Sequence, residues 1–398
     1  MTHERILEGE ALFSAGKLNE AEESFLLALK ENPREPVALN NLGVIAYKRQ
    51  EYDKARDLFK QALAMDPLYV SARENLSELP KAALGTPFLV RGRRITVLSE
   101  GDADFSRLCL AYFGNNNKVR EVRSLSDGEA AALAGGADIV IAASLNPALS
   151  ALLLHKGALR VIARVKGTER LFAPAFPWNT LDGVIFPAVH VRAAAELMAG
   201  PGVRLPESGI LPDGLDMNFY PVYKNGPGRN VCFFGNANAA HGISFLVQCI
   251  AQAVARGEQF RFHIAGEFED PRYGTYLMHL LKELDLGRYV TFYGKFKEPV
   301  TFLRDMNFVV NTSEHEGMPS ELVKAMACGI RPLVRAWQGA AALFPEKDLF
   351  RTPGEFAALL MDGAYRPVEI REWAAVHFNA VQAAPRVDEF VHRVTTRA

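Results

Sequence analysis

Short apolar runs alternate with helix-length segments through most of the sequence, and this alternation restricts the fold more than any other feature. The first series of runs comprises Ile95–Leu98, Val119–Val122, Ala137–Ala142, Arg160–Val165 and Val184–Phe186. The second comprises Val231–Phe234, Phe260–Ile264, Val290–Tyr293, Phe308–Asn311 and Pro332–Val334. Strands this apolar, separated by helices, predict parallel sheets that are covered on both faces.

A break separates the two series near residue 220, where Tyr220-Pro221 is followed by Asn225-Gly226-Pro227-Gly228. Proline and glycine clusters of this kind interrupt regular structure. The sequence therefore predicts an α/β protein with two doubly wound, Rossmann-like domains. In such sheets the ligand lies beyond the carboxyl ends of the strands, which here means a cleft between the domains.

The N-terminal region repeats itself with a period of 34 residues. This shift aligns Gly9 with Gly43, Ala21 with Ala55, Phe25 with Phe59, Ala28 with Ala62, and Pro33 with Pro67. Small residues allow two antiparallel helices to approach closely, and a proline ends the second helix of each pair. These residues resemble the tetratricopeptide repeat, with two full repeats and a partial third in which Asn75-Leu76 matches Asn41-Leu42.

The repeat resemblance implies a small all-α domain with a groove for a protein or peptide partner. A spacer that only packs on the next domain is the alternative interpretation. We expect a linker over Pro80–Arg94, where Gly85-Thr86-Pro87 breaks any helix. The expected domains are 1–84, 92–213 and 214–379, and we expect a C-terminal helix, 380–398, to pack on the first α/β domain.

Composition and charge exclude several classes of protein. With Lys+Arg 45 against Asp+Glu 46, the chain lacks the basic surface of a nucleic-acid-binding protein. Its four cysteines have no zinc-site spacing, which favours buried thiols in a reducing compartment. The uncharged run Ile139–Leu154 is too short for a transmembrane segment, and no signal peptide is evident at the N-terminus. We therefore expect a cytoplasmic protein, or one that visits a membrane without crossing it.

Several strand-end segments carry a second resemblance. These segments match one family pattern: Ile210–Asp216 followed by Phe219, the Val231–Asn236 segment ending in Gly235-Asn236, Phe262–Gly266 and Val290–Gly294. So do Ser313-Glu314-His315-Glu316-Gly317-Met318-Pro319 and Lys324-Ala325-Met326-Ala327-Cys328-Gly329. Together they resemble the retaining glycosyltransferases of the GT-B fold, family 4 or group 1. The resemblance implies a metal-independent hexosyltransferase-like enzyme that uses a UDP- or GDP-linked nucleotide-sugar as its donor substrate, without a further cofactor.

The chemistry of such a donor explains the motif. A leaving diphosphate is stabilised by free backbone N–H groups at a helix N-terminus, and the loops at Gly235–Gly242 and Gly317 each enter a helix. The family's first glutamate contacts the donor sugar, and Glu316 occupies its position. The alternative is a glutamate that only complements the helix dipole. The expected donor-binding residues are Gly235, Asn236, Gly294, Glu316, Gly317, Met318, Pro319, Ser320, Glu321 and Lys324.

Three departures from the family pattern concern the same ligand. Lys324 stands where the family has a ribose-binding glutamate, so Glu321, one turn earlier, is a candidate substitute. The family's phosphate-binding Arg and Lys fall on Asn236 and His241, which carry no fixed charge. Arg331 is either a replacement cation or a solvated loop residue. These departures motivate an alternative function, a catalytically inactive GT-B scaffold that uses its repeats to bind proteins.

The acceptor side offers fewer signals. Gly101 and Asp102 follow the first strand and are the expected acceptor-binding residues, and His190 is interpreted as an ordinary helix-start residue. Lys166 follows the fourth strand, where it either faces the leaving phosphate or is a surface lysine. Glu316, His241 and Lys166 are thus the expected catalytic residues. The sequence leaves the acceptor open among proteins, lipid-linked sugars and polysaccharides.

Overall fold

A computed structural model describes most of the chain: residues 2–49, 51–66, 69–78, 88–99, 103–123, 129–130, 133, 136–167, 177–199, 204–223, 226–257, 259–295, 299–362, 364 and 366–396. It divides into two compact units. The repeat unit comprises residues 1–85 with 216–221, and the α/β unit comprises 86–215 with 222–398.

The repeat unit consists of helical hairpins. Its helices are α1 (Thr2–Ser14), α2 (Leu18–Glu31), α3 (Pro36–Lys48), α4 (Tyr52–Met65) and α5 (Val70–Glu78). Gly9 faces the buried ring of Phe25 so closely that a Cβ on Gly9 would lie 2.5 Å from a ring carbon, and Gly43 meets Phe59 in the same way. The 34-residue period thus reflects two hairpins with the same glycine-on-phenylalanine contact. Pro67 lies outside the described residues.

The repeat unit also includes the segment 216–221. A short 3₁₀ turn, Met217–Phe219, packs against α5, and the buried guanidinium of Arg73 lies 5.4 Å from the Phe219 ring centroid. An arginine over an aromatic face is a favourable contact when it is removed from water.

The first α/β domain is built on a six-stranded parallel sheet in the order β2-β1-β3-β4-β5-β6. Its strands are β1 (Arg94–Leu98), β2 (Lys118–Val122), β3 (Ile139–Ala142), β4 (Arg160–Arg164), β5 (Gly183–Phe186) and β6 (Glu207–Ile210). Its described helices are α6 (Ala103–Phe113), α7 (Pro147–Leu154) and α8 (Val189–Ala199). The five strands predicted from apolar runs are present, whereas β6 contains Glu207, Ser208 and Gly209 and lacks an apolar run.

The second α/β domain has another six-stranded parallel sheet, in the order β12-β11-β10-β7-β8-β9. Its strands are β7 (Asn230–Phe234), β8 (Arg261–Ala265), β9 (Val290–Gly294), β10 (Phe308–Asn311), β11 (Arg331–Arg335) and β12 (Leu349–Phe350). Its helices are α9 (Ile243–Ala255), α10 (Pro271–Glu283), α11 (Pro299–Leu303), α12 (Ser320–Ala327), α13 (Ala340–Leu343), α14 (Pro353–Met361) and α15 (Pro367–Phe378). The predicted pair of doubly wound domains is confirmed.

The last helix, α16 (Ala380–Thr396), lies on the first sheet. The Phe390 ring packs against Gly183 of β5 and Gly209 of β6, where a side chain would not fit. The buried carboxylate of Asp388 accepts hydrogen bonds from the backbone N–H groups of Leu89 (2.7 Å) and Val90 (3.1 Å). The chain therefore returns to the first domain after completing the second.

The strand order brings two loops of the second domain together. The chain leaves β7 toward β8 and β9 on one side and continues with β10 on the other, so the switch point lies between β7 and β10. The loops that follow these two strands therefore open a crevice at the carboxyl edge of the sheet, the usual ligand position in doubly wound folds.

Candidate functional site

A cavity of about 730 Å³ lies at the carboxyl ends of both sheets. The first α/β domain contributes Ser144, Leu145, Val165, Lys166 and Gly167. The second contributes the loops after β7 and β10 and the start of α12. Ten of the residues predicted from the sequence line it: Lys166, Gly235, Asn236, His241, Glu316, Gly317, Met318, Pro319, Ser320 and Glu321.

Two hydrogen bonds orient the carboxylate of Glu316 in the cavity. Its Oε1 accepts hydrogen bonds from the Ser313 hydroxyl (2.7 Å) and the Asn311 amide (3.2 Å). Burial raises the pKa of Glu316 above its ordinary value, although the hydrogen bond from Ser313 and the nearby His241 oppose the shift. Desolvation disfavours the charged form, whereas hydrogen bonds to the carboxylate favour it. The loop thus presents an oriented hydrogen-bond acceptor in a site removed from water.

His241 is fixed by the turn that precedes α9. Its Nδ1 lies 2.8 Å from the Asn236 carbonyl, which can only accept, so Nδ1 donates and Nε2 remains for a ligand. The His241 backbone N–H donates to the side chain of Asn238 (2.9 Å), and its carbonyl accepts from Thr312 (2.9 Å). The ring therefore has one orientation toward the cavity it lines.

Glu269 is a cavity residue that the sequence reasoning missed. Its two carboxylate oxygens accept hydrogen bonds from Asn236 (2.7 Å) and Asn238 (2.8 Å). The hydrogen bond from Asn238, and to a smaller extent that from Asn236, holds the pKa of Glu269 below its ordinary value. The available signal was the acidic stretch Glu267-Phe268-Glu269-Asp270 directly after β8. The loop that binds phosphate in the family therefore has a carboxylate from the neighbouring β8 loop bonded to it here.

Lys324 does not line the cavity. Its ammonium lies 2.8 Å from the carboxylate of Asp104 in the first turn of α6, and both side chains are only 17% exposed. The position of the family's ribose ligand thus forms an ion pair between the two α/β domains. Glu321 is the carboxylate of α12 that reaches the cavity.

One further predicted residue lies away from the cavity. Gly294 ends the edge strand β9, two strands from β7, and is not part of the cavity lining. Gly101 and Asp102, the expected acceptor residues, lie outside the described residues.

Arg331 requires a correction. It is buried at the amino end of β11, paired with Asp348 (3.4 Å) and Asp362 (2.9 Å). Both interpretations of this residue, a replacement phosphate ligand and a solvated loop arginine, are wrong. Because parallel strands align their ends, the start of β11 lies at the sheet edge opposite the cavity.

His190 begins α8 as predicted, yet it is more than an ordinary helix-start residue. Its Nε2 lies 2.6 Å from the backbone oxygen of Glu316, and its ring lies against Trp337 with centroids 5.3 Å apart. No local pattern signals this contact, because the two residues are 126 positions apart.

Two searches of the described residues gave negative results. Among them, no group of three or more His, Cys, Asp or Glu side chains is arranged to hold a metal ion. Within the same residues, no helix combines the length and apolarity needed to cross a membrane. The four cysteines are buried, as expected, and none of them forms a disulfide bond.

The folds of solved glycosyltransferases resemble this chain. Anabaena HepE, in complex with UDP and glucose, superposes with a TM-score of 0.62 at 16% identity over 76% of this chain and 100% of its own. Sucrose-phosphate synthase from Thermosynechococcus elongatus gives 0.59 at 13% identity over 76% and 99%. A mutant O-GlcNAc transferase from Thermobaculum terrenum gives 0.54 at 13% identity over 99% and 97%.

Sequence comparison adds two family matches. No curated protein matches the chain by sequence. Residues 6–70 match the family model for the tetratricopeptide repeat, and residues 228–361 match the model for group 1 glycosyl transferases. The predicted enzyme class is therefore confirmed: the chain carries a group 1 glycosyltransferase domain behind tetratricopeptide repeats, on a GT-B fold.

Proposed function

We propose that the protein transfers a sugar from a UDP- or GDP-linked donor to an acceptor hydroxyl, with retention of configuration at the anomeric carbon. The position of Glu316 carries the proposal. It is a partly buried carboxylate in the loop between β10 and α12, and Ser313 and Asn311 donate hydrogen bonds to it. The cavity volume of about 730 Å³ lies in the range of sites that enclose small molecules.

The cavity has features that suit a diphosphate. Helices α9 and α12 both begin in loops that line it, and the free N–H groups of a helix N-terminus attract anions. Among the lining residues that the structure describes, Lys166 alone carries a fixed positive charge. His241 also lines the cavity, and its Nε2 is not engaged by Asn236. The HepE complex with UDP and glucose supports a nucleotide-linked donor.

Glu316 and Glu321, two carboxylates of the second domain, bind opposite ends of the donor. Glu316 accepts hydrogen bonds from hydroxyls of the sugar. Glu321, which lines the cavity in the first turn of α12, accepts from the ribose in place of residue 324. Both roles use a carboxylate as an oriented acceptor, because a charged acceptor forms stronger hydrogen bonds than a neutral one.

Transfer occurs on one face of the sugar. The bond between the anomeric carbon and the phosphate oxygen breaks, and the acceptor oxygen bonds to the same carbon from the face that the phosphate leaves. The acceptor proton passes to the departing phosphate oxygen, which releases a nucleoside diphosphate. Lys166, His241 and the two helix N-termini stabilise the charge on this leaving group.

A protein acceptor fits the repeat unit. A groove of about 300 Å³ on this unit is lined by Phe13, Asn41 and Glu10, among others. The Thermobaculum terrenum enzyme, named an O-GlcNAc transferase, matches nearly the whole of this chain, repeats included.

Titration of the full chain with UDP, GDP, UDP-glucose, UDP-N-acetylglucosamine and GDP-mannose tests the donor. We expect one nucleotide series to bind at micromolar to millimolar concentration and its sugar nucleotide to bind more tightly. Absence of binding by all five at millimolar concentration would exclude nucleotide-sugar chemistry. Binding without release of nucleoside diphosphate, with every class of acceptor, would favour the scaffold function, which the carboxylate of Glu269 beside the phosphate loop also favours.

Groove variants test the role of the repeats. We expect Phe13→Ala with Asn41→Ala to raise KM for a protein acceptor and leave donor binding unchanged. Leu26→Ala, which removes an exposed side chain of α2 outside the groove lining, is the matched control. Equal KM values for both variants would show that the groove does not recruit the acceptor.

A further inference from the structure

Two residues of the first α/β domain contact the main chain of the second at the donor carboxylate. His190 donates from Nε2 to the carbonyl of Glu316 across 2.6 Å. On the adjacent residue, the Lys166 carbonyl approaches Gly317 so closely that no side chain fits. The Glu316-Gly317 peptide is therefore held from the opposite side of the cavity.

The His190 ring is confined by two neighbouring residues of the second domain. It lies against the buried indole of Trp337, with ring centroids 5.3 Å apart. Gly339 lies against the same ring, and a Cβ there would overlap the imidazole. Gly339 adopts a φ of +97°, so the backbone there also favours glycine. A ring confined in this way gives its N–H donor a fixed direction.

A second connection leads from His190 to the other end of Glu316. Trp337, on which the imidazole rests, donates from Nε1 to the side-chain oxygen of Asn311 (3.2 Å). Asn311 in turn donates from its amide nitrogen to Oε1 of Glu316 (3.2 Å). His190 thus contacts the Glu316 backbone directly and supports its carboxylate through Trp337 and Asn311.

We propose that His190 is a positioning residue that sets the orientation of Glu316 toward the donor sugar. This inference rests on the proposed function, in which Glu316 binds sugar hydroxyls. Hydrogen bonds weaken steeply when donor and acceptor are misaligned, so release of the Glu316 backbone weakens the contacts to the sugar. The nucleotide is also held by Lys166, His241 and the N-terminus of α9, so its binding depends less on this peptide. The first α/β domain therefore takes part in recognising the donor sugar.

The test compares two histidine variants of the full chain. His190→Phe keeps a ring between Trp337 and Gly339 but removes the donor. His377→Phe is the matched control, because His377 also stacks on a tryptophan, Trp373, with centroids 4.0 Å apart, and does not line the cavity. Each variant is titrated with UDP and UDP-glucose, or with the nucleotide and sugar nucleotide that the natural chain binds.

We expect His190→Phe to keep the affinity for the nucleotide alone within twofold. Its preference for the sugar nucleotide over the nucleotide falls about fivefold, which corresponds to the loss of one hydrogen bond. His190→Gln retains an N–H donor of similar reach, and we expect it to recover most of that preference. His377→Phe leaves both affinities unchanged.

The outcomes separate this inference from the proposed function. Absence of nucleotide binding by the natural chain contradicts the proposed function. If the natural chain prefers the sugar nucleotide and His190→Phe retains the full preference, His190 has no positioning role. Equal losses of affinity for both ligands, or the same loss in His190→Gln as in His190→Phe, indicate a general structural role and overturn the proposal.

Discussion

Two loops at the same edge of the second sheet differ in how they suit a nucleotide-sugar. The loop after β10 keeps the family pattern, and its Glu316 is partly buried and accepts hydrogen bonds from Ser313 and Asn311. The loop after β7 has Asn236 and His241 in place of cations, and Asn236 donates to Glu269. The sugar end of the site is therefore conventional for the family, whereas its phosphate end is less positive.

This contrast indicates where the binding energy of the donor arises. Fixed cations contribute most where charge develops on a leaving group. Lys166 is the fixed cation among the described residues that line the cavity. The helix N-termini therefore contribute more of the stabilisation of the leaving group's charge. Variants of each loop test this difference between the loops after β7 and β10.

The largest effect is expected at the sugar end. Glu316→Gln removes the charged acceptor but keeps the side-chain shape, and we expect nucleoside diphosphate release during transfer to slow by about 100-fold. Glu314→Gln, two residues earlier, changes an exposed glutamate paired with Arg335 and serves as the control. Equal rates for the two variants would remove Glu316 from its proposed role.

At the phosphate end, we expect a substitution to strengthen ligand binding. Glu269→Gln removes a negative charge from the cavity, so we expect the affinity for nucleoside diphosphate to rise by about fivefold at low salt, and less at high salt. Glu267→Gln is the control, because Glu267 is exposed and paired with Lys295 at 3.3 Å. A fall in affinity would instead show that Glu269 is needed to hold Asn236 and Asn238 in place. Calorimetric titration at two salt concentrations measures the difference.

The ion pair between Lys324 and Asp104 gives a smaller effect. A double-mutant cycle with Lys324→Met and Asp104→Asn should show a coupling of about 1 kcal/mol in the free energy of unfolding, since both side chains are largely buried. Lys324→Glu places two carboxylates together and should destabilise the chain more than Lys324→Met. A coupling near zero would mean that the pair does not join the two domains energetically.

The two glutamates should also respond to pH with opposite signs. The pKa of Glu316 is raised in the fold, so its contribution to stability is present in acid and is lost as pH rises through that pKa. The pKa of Glu269 is lowered, so its contribution is present at neutral pH and is lost as pH falls below the usual range of a glutamate.

Melting temperatures measure this difference. On raising the pH from 4 to 8, Glu316→Gln should gain stability relative to the natural chain, by on the order of 1 °C. Glu269→Gln should lose stability over the acid part of the same range. Parallel pH profiles for the two variants would contradict the assigned shifts.

Most of the architecture could be predicted because it depends on local or periodic patterns. The ten apolar runs became strands, and the 34-residue period became helical hairpins in which Gly9 and Gly43 meet phenylalanines. The strand β6 escaped prediction because Glu207, Ser208 and Gly209 carry no apolar signal. It joins the sheet through backbone hydrogen bonding to β5, which side-chain patterns do not report.

Sequence patterns alone predicted the order of the domains, the strands that end at the cavity and the place of Glu316 in its lining. Each of these follows from residues that are neighbours in the chain. Only the tertiary structure decided what Lys324, Glu269, Arg331 and His190 do, because each is defined by a partner from another element. A charge or an imidazole acquires its role from what it faces, and that neighbour is chosen by the packing of elements rather than by the local sequence.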